Sequence, residues 1–136
     1  MRLFAATVLI LSSLLLGASA LAEQPKPKEL NNVEIQSKQP GAGTLVMRFE
    51  DGILQYTFID GSMRGGGGVN LDYTARKIGD EMYLVSWHDE VYSNHFVVVL
   101  DLKNKVDYTD TIMFYGTDDQ NVFWADGVIE KVTSIE

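Results

Sequence analysis

The chain has 136 residues, 46% of them hydrophobic, with 12 glycines, 3 prolines and no cysteine. Its 19 acidic residues outnumber 11 basic ones, a net charge of −8 at pH 7, so it lacks the clustered basic surface that neutralises nucleic-acid phosphate. Without cysteine there is no disulfide, thiol nucleophile or thiolate metal site, and apolar packing with backbone ladders must hold the fold.

At the N-terminus Arg2 precedes an apolar run, Leu3 to Leu16, broken only by Thr7, Ser12 and Ser13. The run is shorter than the ~20 residues that cross a bilayer and matches the core of a secretory signal peptide. Ala18-Ser19-Ala20 and Ala20-Leu21-Ala22 both fit the small-residue cleavage rule. Cleavage after Ala22 leaves Glu23 first and takes the net charge from −8 to −9, because Arg2 leaves with the signal. The predicted organisation is a signal peptide over 1–22, a lead-in segment over 23–42 that starts extended through Gln24-Pro25-Lys26-Pro27-Lys28, and one domain over 43–136. The mature protein is expected in the periplasm or outside the cell, with no membrane attachment after cleavage.

From Gly43 onward, short β-rich runs alternate with turn dipeptides and no helical period is sustained. Asp51-Gly52 is the preferred dipeptide of a two-residue type I′ hairpin. That turn pairs Glu50 with Ile53, Phe49 with Leu54, Arg48 with Gln55, Met47 with Tyr56 and Leu45 with Phe58. Leu45, Met47, Phe49, Leu54, Tyr56 and Phe58 then share one face, so turn chemistry and apolar alternation specify the same register. A second hairpin joins Val69–Ile78 to Glu81–His88 around Gly79-Asp80. There the turn predicts Arg76, Thr74 and Asp72 opposite Tyr83, Val85 and Trp87, a mixed face suited to a lined cavity rather than a dry core.

Strands His95–Leu102 and Val106–Tyr115 follow, and Val122–Val132 completes the chain. Phe96-Val97-Val98-Val99-Leu100 is apolar on both faces, which predicts cover on both, with Leu30 to Ile35 lying outside the sheet. About eight strands, counting a weak one near Ser62, predict an all-β fold, a small antiparallel barrel whose closure removes sheet edges. An open sandwich is the competing architecture.

The segment Tyr73-Thr-Ala-Arg-Lys-Ile-Gly-Asp-Glu-Met-Tyr-Leu-Val-Ser-Trp87-His-Asp89, with Val97-Val-Val-Leu-Asp101-Leu102 and Gly43-Thr-Leu-Val-Met-Arg-Phe-Glu-Asp-Gly52, resembles the MoaF-like family. The resemblance spans roughly 43–132 and implies a lipocalin-like (calycin) β-barrel. The Trp87 strand is more distantly similar to the central strand of phenolic acid decarboxylases, where a catalytic Glu stands two residues after the Trp. Here that place holds Asp89, one methylene shorter, and the family's Pro-Thr-Gly continuation is replaced by Glu90-Val91-Tyr92. Arg64 is the approximate counterpart of that family's catalytic arginine.

Gly65-Gly66-Gly67-Gly68 lacks the Lys-Ser/Thr ending and the following helix of a phosphate loop, and is expected to be a loop or lid at a barrel mouth. His88, Asp89, Glu90 and His95 are metal-ligand types, but alternation sends His88 and Asp89 to opposite faces. No metal and no cofactor is expected. The predicted ligand site has aromatic walls from Tyr56, Phe58, Tyr83 and Trp87, fixed polar groups from Asp72, Arg76 and Asp89, and Arg64 closing from the glycine run. The expected function is to bind a small organic molecule. The alternatives are acid/base catalysis at Asp89 on a small aromatic or organic acid, and an envelope interaction or inhibitor protein using a loop such as Tyr115 to Asn121.

Overall fold

The computed structural model describes residues 25–136, so the signal-peptide segment lies outside the described residues. These form nine antiparallel strands and no helix: β1 (Val33–Gln39), β2 (Gly43–Glu50), β3 (Ile53–Phe58), β4 (Gly67–Leu71), β5 (Tyr73–Gly79), β6 (Met82–Asp89), β7 (Asn94–Asp101), β8 (Val106–Met113) and β9 (Asn121–Ser134). They make a single sheet in the order β4-β3-β2-β1-β9-β8-β7-β6-β5. Its two edge strands, β4 and β5, are separated in sequence by Asp72 alone. The path from Gly67 to Gly79 therefore pairs with β3 in its first half and β6 in its second. The barrel is closed by that bent connection rather than by a ninth ladder, which leaves a seam between β4 and the upper end of β6.

The first hairpin has the expected register, from Glu50↔Ile53 through Phe49↔Leu54 to Leu45↔Phe58. Asp51 and Gly52 have φ of 50° and 76°, the left-handed pair that a type I′ turn needs. All six residues assigned to the inner face are buried, while Gln55 and Thr57 are exposed. With Ile35, Val85, Val98, Leu100 and Ile129 they form a continuous apolar core.

Three expectations change. The strand near Ser62 is absent, because residues 59–66 form a turn-rich loop before β4. The lead-in contributes a full barrel strand: β1 sits between β2 and β9, so it does not lie over β7. Val97 on β7 is consequently 37% exposed. Ahead of β1 the chain remains extended and docks. Ala75 N–H donates to Pro27 O at 2.8 Å and Glu29 N–H to Ala75 O at 2.9 Å, giving the free edge of β5 a short parallel partner. Lys26 and Lys28 both pair with Asp72, the latter at 2.6 Å, and Lys28 Nζ lies 3.8 Å from the Tyr73 ring centre.

The third change is register. Gly79 pairs with Met82, leaving Asp80-Glu81 as the turn, and the ladder shifts between Lys77 and Gly79. Glu81 takes a φ of 51°. Tyr73, Ala75 and Lys77 thus lie opposite Trp87, Val85 and Tyr83. One extra residue moves a whole face: Tyr73 and Ala75 turn inward and are buried, and Asp72 and Arg76 turn outward and are exposed.

Candidate functional site

The strand pairings bring four connections to one end of the barrel, and a cavity of about 520 Å³ lies beneath them. The β1–β2 turn supplies Ala42, the β3–β4 loop Met63, the β6–β7 turn Tyr92, and the β8–β9 loop Phe114. Its walls come from inward positions of the strands: Leu45, Tyr56, Phe58, Phe96, Met113 and Phe123, with Gln39, Thr109 and Thr111 as polar points. None of the described residues lining it is charged. Volume and lining both fall in the range of sites that enclose a small organic molecule.

A second cavity, about 380 Å³, opens along the seam and is lined by Tyr56, Gly68, Leu71, Asp89 and Tyr92, among others. Tyr56, together with Gly67 and Tyr92, belongs to both cavities and forms part of their common wall. Its ring lies 5.1 Å from Phe96 and 5.5 Å from Trp87, and Trp87 stacks on Phe96 at 4.6 Å with planes 11° apart. Its hydroxyl donates to Asp89 Oδ2 at 2.7 Å. Burial, and then that hydrogen bond to the carboxylate, raise the Tyr56 hydroxyl well above the ordinary tyrosine range, so it stays protonated as a donor. Asp89 is 1% exposed and takes a second bond from Val91 N–H at 3.0 Å.

Glycine makes this contact across the seam possible. A Cβ on Gly68 would sit 2.9 Å from Asp89 Oδ2 and equally close to the Tyr56 ring, and one on Gly67 would sit 2.2 Å from Tyr56 O. Gly67 and Gly68 are therefore packed strand residues of β4, not the tip of a lid. The far side of the barrel repeats the device. Asp107 on β8 is fully buried and reaches past Gly127 on β9 to β1, where the Ser37 hydroxyl donates to it and Gln39 Nε2 donates at 2.8 Å. Thr109 Oγ1 adds a bond at 3.1 Å. A Cβ on Gly127 would fall 2.5 Å from Asp107 Oδ2.

Of the predicted site residues, the structure brings together Tyr56, Phe58 and Asp89 at the two cavities. Trp87 forms the layer behind Phe96 instead of the cavity surface, and Tyr83 shares its inward face but is half-buried beyond the core. Arg64 is exposed on the mouth loop, and Asp72 and Arg76 are on the outer surface. Gln39, Phe96, Thr109, Thr111 and Phe123 also line the larger cavity, beyond the predicted set. The alternation Asp107, Thr109, Thr111 against exposed Tyr108 and Asp110 is the signal that places one polar stripe inside β8.

Outside the barrel, His88 and His95 are directly opposed on β6 and β7. Burial, and then His88, lower the His95 pKa from its ordinary value. The described residues contain no group of three His, Cys, Asp or Glu arranged to hold a metal.

No family model matches the chain, and no curated protein matches it. Among solved structures it is similar to one described as a "putative beta-lactamase" from Burkholderia vietnamiensis, with a TM-score of 0.64 and 15% sequence identity over 82% of this chain and all of that one. At that identity the likeness concerns the fold alone, a nearly closed antiparallel barrel.

Proposed function

We propose that this is an exported, lipocalin-like protein, akin to the MoaF-like family, that holds a small, largely apolar and uncharged organic molecule inside its barrel. The observation that carries the reading is the 520 Å³ cavity under the mouth loops, whose described lining has aromatic, methionine and aliphatic side chains with no charge. An ion placed there would lose its hydration without a counter-charge, whereas a flat or branched apolar body gains contact area. Tyr56 and Phe58 supply part of the wall. Asp89 serves the seam side, where a donor group on a longer ligand meets a carboxylate. The acid/base alternative also rests on Asp89, because its carboxylate borders the seam cavity.

The test is to recover the protein from the periplasm and take its mass under denaturing and native conditions. The chain is expected to begin at Glu23 and to carry a small molecule that denaturation releases. Titration with neutral aromatics, aromatic acids and amines should favour the neutral class, and Met113→Trp, which fills the cavity, should weaken that binding at least tenfold. Preference for charged compounds, or indifference to Met113→Trp, would refute the cavity assignment. Product formation from the bound compound, lost in Asp89→Asn while binding persists, would move the enzyme reading ahead.

A further inference from the structure

The outer face of the β6–β7 hairpin carries a cluster of three rings that the barrel cavity does not use. His88 and His95 occupy directly opposed positions one pair below the turn, with ring centroids 5.9 Å apart and planes at 37°. Tyr115 from the β8–β9 loop stands beside both, 6.0 Å from His88 and 6.4 Å from His95. The loop is anchored there by Tyr115 N–H donating to Ser93 O at 2.6 Å and Phe114 N–H donating to Asn94 Oδ1 at 3.2 Å. His88 is exposed and His95 half-buried, so the imidazoles are open on one side and walled on the other.

Two imidazoles that share an ion have a limited range of separations. With metal–nitrogen bonds of about 2.0–2.1 Å and each nitrogen about 1.1 Å from its ring centre, the centroids lie about 4.5 Å apart when the bonds are at right angles and about 6.4 Å apart when they are in line. The observed 5.9 Å falls inside that window. The cross-strand pairing fixes the two backbone positions opposite each other, so binding has only the side-chain torsions of the two histidines left to set.

We propose that His88 and His95 form a two-imidazole site for one divalent transition-metal ion, with Cu²⁺ bound more tightly than Zn²⁺. Imidazole suits both ions, and the order of affinity follows the general trend across the first transition row. Water completes the coordination on the open side, and Tyr115 bounds the site on the other. Because His88 and Asp89 leave β6 on opposite faces, the ion is separated from the barrel interior by the sheet. Anchoring of Tyr115 and Phe114 links the site to the mouth loop, since Phe114 also lines the larger cavity.

Calorimetric titration of the mature chain with Cu²⁺ and with Zn²⁺ tests the site. One Cu²⁺ per chain is expected, held at least tenfold more tightly than Zn²⁺, with electron paramagnetic resonance showing imidazole nitrogen coupling. His88→Gln and His95→Gln should each weaken Cu²⁺ binding tenfold or more and remove that coupling. Both positions are on the outer face, and an unchanged far-ultraviolet circular dichroism spectrum checks that the variants fold. Equal Cu²⁺ binding by the wild type and both variants, or no stoichiometric binding by the folded wild type, would overturn the proposal.

Discussion

The two hairpins that begin the barrel wall, β2–β3 and β5–β6, have similar turn chemistry and opposite outcomes. In β2–β3 the Asp51-Gly52 turn and the apolar alternation agree, and the observed ladder is the one that each specifies. In β5–β6 the Gly79-Asp80 dipeptide suggests one register and the interior imposes another. Tyr73 buries its ring against Phe49 at 5.0 Å and donates its hydroxyl to Leu30 O at 2.8 Å. Placing Arg76 and Asp72 inside instead would bury two charges and expose that ring. The displacement of the turn by one residue to Asp80-Glu81 is a small distortion beside the desolvation it avoids. A turn dipeptide therefore fixes register only where the flanking faces do not oppose it.

The largest expected effect contrasts the two faces of β2. Phe49→Asp buries a charge without a partner and should destabilise by about 4 kcal/mol or more. Arg48→Ala, which removes solvent-screened pairings to Glu34 and Glu50, should leave stability nearly unchanged. Urea denaturation of the two variants measures the difference, and equal effects would break the assignment of faces.

The seam gives the intermediate effect. Tyr56→Phe leaves Asp89 buried with one of its two donors gone, a loss of about 1–3 kcal/mol. Gly68→Ala should produce a loss of similar size from the opposite direction, because the added methyl meets Asp89, Leu71 and Tyr56 at 2.9 Å. In the double variant the two losses should not add, since both act on the same contact. Full additivity in thermal unfolding would show that the clasp is not one unit.

The smallest effect belongs to the outward face of β4–β5. Hydrogen bonds from Lys26 and then Lys28 hold the Asp72 carboxyl at about 2, below its ordinary 3.8. A carboxylate depressed in the fold stabilises it above the unfolded value, and that contribution disappears as pH falls from about 3.8 through about 2. Asp72 is more than half exposed, so the free energy involved is small. A carbon-detected NMR titration should place its midpoint near 2, moving towards 3.8 when Lys26 and Lys28 are both changed to Ala. A wild-type midpoint at 3.8 would mean that the lead-in is not clasped to Asp72.

Local and periodic features of this protein are legible in the chain alone. Alternation on Leu45, Met47, Phe49, Leu54, Tyr56 and Phe58 has only one face to bury, so it dictated the first hairpin and the β class, and the same period along β6 places Val85, Trp87 and Asp89 on one inward face. It also paired His88 and Asp89 on opposite faces, because the two-residue period of a strand needs no tertiary information. Contacts between residues far apart in the chain become legible only in the closed barrel. Asp89 finds Tyr56 thirty-three positions away, and Asp107 finds Ser37 seventy away, each across a strand whose glycine leaves room. The enclosure of the cavity by four separate connections, the recruitment of the lead-in as β1, and the outward turn of Arg76 and Asp72 likewise depend on which strands become neighbours. Neighbourhood is set by closing the sheet around one core, a global balance of burial and desolvation that no single window of sequence contains.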